Sequence, residues 1–80
     1  MKTITVEYYA QLREQSGLGC ESVATAADSA AALYDELRGR HGFTLPASML
    51  KVAINAAFGD WDAPLADGDV VVFVPPVAGG

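Results

Sequence analysis

A chain of 80 residues with a formal net charge of −5 is one small domain, near the lower limit of what folds without staples. Its single cysteine, Cys20, rules out an internal disulfide framework, and with His41 the sole histidine there is no metal-ligand spacing, so no metal site is expected. The five basic residues, Lys2, Arg13, Arg38, Arg40 and Lys51, are scattered, which argues against nucleic-acid binding, where Lys and Arg must neutralise phosphates.

About half the residues are hydrophobic and no low-complexity run occurs, so the chain is globular rather than disordered. It opens directly on alternating residues, without a signal-peptide pattern or a long apolar span. A cytoplasmic location and no membrane contact are therefore expected.

Residues 2–9 alternate polar and apolar, the period of a half-buried strand, with Ile4, Val6 and Tyr8 on the core face. Tyr9 falls on the other face. Residues 11–19 carry Ser16-Gly17 and Gly19 and read as a loop or bent hairpin connection. Residues 21–24 are a weak second strand, with Leu18, Cys20 or Val23 as candidate buried positions. Cys20 reads as a small semi-buried hydrophobe, because its nearest charged neighbour in sequence, Glu21, would not activate a thiol.

Asp28 and Ser29 are N-cap candidates for a helix whose apolar stripe is Ala30, Leu33, Tyr34 and Leu37. Gly39 and Gly42 are stop signals, and Arg38, Arg40 and His41 suit the negative end of the helix dipole. His41 is thus a helix-end residue rather than a base, since no nucleophile or carboxylate stands at recognisable spacing. Residues 43–49 form a connection with room for one helical turn, and 51–55 a third strand with Val52 and Ile54 on one face. Residues 56–62 hold a turn and a short strand, with the Trp61 ring packed and its N–H near water. Ala66-Asp67-Gly68-Asp69 is a turn into the last strand, 70–74.

That last strand is apolar on both faces: Val70, Val72 and Val74 on one, Val71 and Phe73 on the other. One amphipathic helix covers only one sheet face. Either the 43–49 connection roofs the other face, or that face is a docking patch. Pro75-Pro76 then ends the strand and holds the chain extended. Val77, Ala78, Gly79 and Gly80 follow, and they read either as a fraying terminus or as a working tail. The lack of charge before the terminal carboxylate favours a tail slim enough to thread a narrow channel.

The ending from Asp67-Gly68-Asp69 through Pro75-Pro76-Val77-Ala78-Gly79-Gly80 resembles that of the MoaD-type sulfur carriers, the small-subunit family of molybdopterin synthase within the ubiquitin-like superfamily. Tyr9-Ala10-Gln11-Leu12-Arg13-Glu14, Val52-Ala53-Ile54-Asn55 and Pro64-Leu65 extend the resemblance over nearly the whole chain. It implies an α+β, ubiquitin-like β-grasp fold, a mixed sheet of four to five strands with one main helix over residues 1–74, and an extended tail over 75–80. It also implies that the Gly80 carboxylate is adenylated by a ubiquitin-activating-type (MoeB-type) enzyme and converted to a thiocarboxylate. That thiocarboxylate would give its sulfur to a pterin precursor in the large (MoaE-type) subunit of a heterotetrameric synthase.

On this resemblance Gly79, Ala78, Val77, Pro76 and Pro75 occupy the partner's channel, and Tyr9, Phe58, Phe73, Val74 and Arg13 contact the partner. The chain would be the non-catalytic, sulfur-donating subunit and bind no cofactor itself. ATP and pterin would sit on the partners, in keeping with the absence of a phosphate loop around Gly17-Leu18-Gly19. Ala78 stands where the family commonly has Ser or Thr. Carriers for thiamine, cysteine or tRNA thiolation, conjugating modifiers and a non-covalent β-grasp binding module are the rival readings. Ordering six tail residues costs on the order of 1–2 kcal/mol each. Slim side chains recover little of that, whereas an apolar patch recovers about 25 cal/mol per Å². The body is therefore expected to supply affinity and the tail chemistry.

Overall fold

The computed structural model describes residues 1–76. Five strands form one sheet: β1 (Lys2–Tyr8), β2 (Cys20–Thr25), β3 (Lys51–Ile54), β4 (Ala57–Gly59) and β5 (Val70–Val74). Their order across the sheet is β2-β1-β5-β3-β4. The central pair, β1 and β5, is parallel and every other pair is antiparallel. A twelve-residue helix, α2 (Ala30–His41), lies across one face, with a short α1 (Ala10–Ser16) after β1 and a 3₁₀ turn over Ala47–Met49. This is a β-grasp.

The alternation in β1 sends Ile4, Val6 and Tyr8 inward, and all three are fully buried. They meet the apolar stripe of α2, in which Ala30, Leu33, Tyr34 and Leu37 are buried. Val52, Val71 and Phe73 close the core from β3 and β5. Ser29 caps α2, its hydroxyl accepting from the Ala32 N–H. The helix runs through Gly39 and stops at Gly42, which is left-handed at φ 72° and donates its N–H to the Arg38 carbonyl. Gly39 is therefore not a terminator.

Two further expectations need correction. Residues 11–16, read as part of a loop over 11–19, belong to α1, whose one buried residue is Leu12. No side chain caps its start, and Ala10 enters it at φ 51°, so the sequence carries no start signal. Long-range bonds hold it in place: Gln11 and Gln15 both donate to the Thr44 hydroxyl. Cys20 is exposed rather than semi-buried, and Val23 is the buried member of the β2 candidates, while Leu18 is exposed.

The Asp67-Gly68-Asp69 turn fixes where β5 enters. The Thr3 N–H donates to the Asp67 carboxylate at 2.7 Å, the Gly68 N–H to the Thr3 carbonyl, and the Thr5 N–H to the Asp69 carbonyl. Gly68 sits at φ 89°, a conformation costly for any residue with a Cβ. Asn55 locks the other side, its amide oxygen accepting from the Val70 N–H and its amide nitrogen donating to Asp69. The turn thus sets β5 between β1 and β3.

Candidate docking face and tail root

Among the described residues no helix lies over the face of the sheet away from α2. The register places Glu7, Val72, Ala53 and Phe58 in one row across β1, β5, β3 and β4. Lys51 lies opposite Val74 in the next row. Asn55 and Ala56, at φ 51° and 70°, make the two-residue turn that brings β4 back against β3 and so sets Phe58 opposite Ala53. Phe58 is 73% exposed, the most exposed aromatic among the described residues. Tyr9 is 50% exposed, and its hydroxyl donates to Glu7 at 3.0 Å; that bond holds the phenol above its ordinary pKa.

Where β5 ends, Met49, Lys51, Phe58, Val74, Pro75 and Pro76 line a groove of about 390 Å³. The residues leading into the tail are thus part of the wall of an apolar depression. The 3₁₀ turn places Met49 there, 52% exposed. This connection lines the groove's edge and leaves Phe58 uncovered, so it does not roof the open face. A larger, shallower depression of about 600 Å³ lies at Ala10, Arg13, Glu14, Gly17 and Gly19. No buried side-chain N or O among the described residues lacks a hydrogen-bond partner.

The predicted contact residues therefore divide. Phe58, Val74, Pro75 and Pro76 come together at the groove, and Tyr9 lies exposed at the end of β1. Arg13 is exposed on α1, beside the other depression. Phe73 does not belong to the surface: it is fully buried, stacked on Trp61 at 5.7 Å and tilted against Tyr34 at 5.1 Å. Its side chain points to the helix because adjacent strand residues face opposite sides. Val77, Ala78, Gly79 and Gly80 lie outside the described residues.

Sequence reasoning missed one polar cluster on the helix side. Glu21 accepts from the Tyr8 hydroxyl at 2.5 Å and from His41 Nε2 at 2.6 Å, with Arg40 at 3.9 Å. Burial pushes the Glu21 carboxyl up, but the two hydrogen bonds and the charges of His41 and Arg40 outweigh it and hold the group below its ordinary value. Burial, followed by the bond to Glu21, drives the Tyr8 phenol far above its usual range. The cluster ties β1, β2 and the end of α2 together.

The fold and its open face define a class first: a ubiquitin-like β-grasp domain that keeps one sheet face bare beside its C-terminal segment. The ThiS family matches residues 6–80, and the chain belongs to that family. The molybdopterin synthase sulfur carrier subunit of Escherichia coli is 36% identical over 80 residues, covering 96% of this chain and 99% of that protein. A solved structure described as molybdopterin converting factor, subunit 1, from Pyrococcus furiosus superposes with a TM-score of 0.80 at 28% identity, covering 96% of this chain and all of that one. A chain in the complex of subunits 1 and 2 of molybdopterin-converting factor from Helicobacter pylori shares the fold, with a TM-score of 0.68 at 24% identity over 98% of this chain and 99% of its own. No helix among the described residues is long and apolar enough to cross a membrane.

Proposed function

We propose that this chain is a sulfur carrier for molybdopterin synthesis, with the Gly80 carboxylate as the carrying group. The observation that carries the reading is the apolar groove at the tail root, walled by Phe58, Val74, Pro75 and Pro76. A body that docks through this groove would present the following residues to a partner's active site. The similarity to the E. coli carrier subunit along almost the full length of both chains supports the same role.

The chemistry follows from what a carboxylate needs. A free carboxylate is a poor electrophile, so an adenylyltransferase of the ubiquitin-activating type joins it to the α-phosphate of ATP and releases pyrophosphate. Sulfide (HS⁻) then attacks the acyl carbon, the carbon–oxygen bond to AMP breaks, and with loss of a proton the terminus becomes a thiocarboxylate. The large synthase subunit receives the tail and takes the sulfur onto its pterin substrate, and water cleaves the acyl carbon–sulfur bond to return the carboxylate. ATP and pterin are held by those partners, and this chain contributes the acyl group, its reach and the docking face. Pro75 and Pro76 restrict the chain before docking, which lowers the entropy lost when the tail is threaded.

The test is intact-mass analysis after incubation with ATP, a sulfide source and the activating enzyme. An adduct of AMP, followed by exchange of one oxygen for sulfur at Gly80, is expected. A chain of unchanged mass under conditions that load the E. coli carrier would refute the reading.

A further inference from the structure

Among the described residues Lys51 is the only charged one lining the groove. It opens β3 opposite Val74, and strand alternation puts it on the bare face, since its neighbour Val52 is buried. Three of the other basic side chains have partners. Lys2 lies 3.4 Å from Asp28, Arg40 pairs with Glu36 at 3.2 Å, and Arg38 Nε donates to the Phe43 carbonyl. Among the described residues Lys51 pairs with no carboxylate, although the chain has ten acidic residues to offer.

In the free protein the ammonium is solvated, and its methylene stem adds to the apolar wall of the groove. A partner covering Phe58 and Val74 must also cover the foot of Lys51. Burying that ammonium without an acceptor would oppose association, whereas a carboxylate on the partner would make it a selective contact. No carboxylate is among the described residues that line the groove, so at this site Lys51 would attract an acidic group.

We propose that Lys51 sets partner specificity on the docking face, by pairing with a carboxylate of the large synthase subunit at the mouth of the channel that receives the tail. This inference rests on the carrier reading above. The apolar residues supply contact area common to many surfaces, and the charge selects a partner whose rim is acidic.

The experiment is calorimetric titration of the purified large subunit with the full chain at low and high salt. Wild type is compared with Lys51→Arg, Lys51→Met, Lys51→Glu and Phe58→Glu, each first checked for an unchanged melting temperature. Lys51→Met should weaken binding by roughly tenfold to a hundredfold and flatten its salt dependence; Lys51→Glu should weaken it further, and Lys51→Arg should stay close to wild type. Lys51→Met binding as tightly as wild type with the same salt dependence would overturn the inference, as would equal losses for Arg and Met. Phe58→Glu separates the two levels. If it abolishes binding while Lys51→Met does nothing, only the role of Lys51 fails; if Phe58→Glu is also silent, the docking face itself is wrong.

Discussion

Phe73 and Val74 are consecutive in β5 and serve opposite faces of the sheet. The Phe73 ring is enclosed by Trp61 and Tyr34 under the helix, whereas Val74 is half-buried and lines the groove with Phe58 and Pro75. One residue holds the domain together and the next meets a partner, so substitutions at neighbouring positions should have separable effects.

Phe73→Ala should destabilise the fold by about 3–5 kcal/mol, a large share of the roughly 5–15 kcal/mol available to a domain. Phe58→Glu should change stability by no more than about 0.5 kcal/mol, because its side chain already meets water. The same Phe58→Glu protein should lose partner affinity at least about tenfold, since the complex would bury an unpaired carboxylate. Urea unfolding and partner titration on the two variants check this. Equal loss of stability and binding at Phe58 would make it a core residue.

How much of this was legible in the sequence depends on where the signal lay. β1 shows a clean period of two and Val70–Val74 an uninterrupted apolar run, and both strands stand where those patterns place them. The ends of α2 follow from Ser29 and Gly42. In β5, however, both faces are apolar, so periodicity separates Phe73 from Val74 without saying which side the helix takes. α1 was invisible for another reason. It buries only Leu12 and depends on Gln11 and Gln15 reaching Thr44, 33 and 29 residues away. The Tyr8–Glu21–His41 cluster is likewise non-local, since its members belong to three elements that only the fold brings together.

That cluster predicts an acid sensitivity. Glu21 is held below its ordinary carboxyl pKa, so its contribution is present above the unfolded value and is lost as pH falls through the folded one. Glu21→Gln should therefore cost about 1.5–3 kcal/mol near neutral pH, the range for hydrogen bonds to a charged group. The gap between variant and wild type should narrow as the buffer is taken below the usual carboxylate range. Melting temperatures of both proteins across acidic buffers read the effect. A gap independent of pH would mean that the carboxylate charge contributes nothing.

Cys20→Ser should leave sulfur carriage unchanged. Cys20 is an exposed thiol at the start of the edge strand β2, and the proposed carrier atom belongs to the C-terminal carboxyl. Thiocarboxylate formation measured by intact mass should match wild type. Loss of loading in a folded Cys20→Ser protein would point to a persulfide on this cysteine.

The tail prediction separates docking from chemistry most sharply. Deleting Gly80 leaves Phe58, Val74 and the described groove wall intact, because every described lining residue lies between Met49 and Pro76. Partner affinity should then fall little. The terminal carboxylate would move to Gly79, withdrawn by roughly 3.3–3.6 Å if the tail is extended. Attack requires reacting atoms within about 3–3.5 Å, so a shortfall of that size should abolish adenylation and sulfur loading. Gly79→Val should fail by a different route, since a channel fitted to bare backbone has no space for a β-branched side chain. Affinity and thiocarboxylate formation should be measured on the same preparations of both variants. Near-normal binding without loading is the expected pair of results, and normal loading of the shortened chain would show that the reach of Gly80 does not control the chemistry.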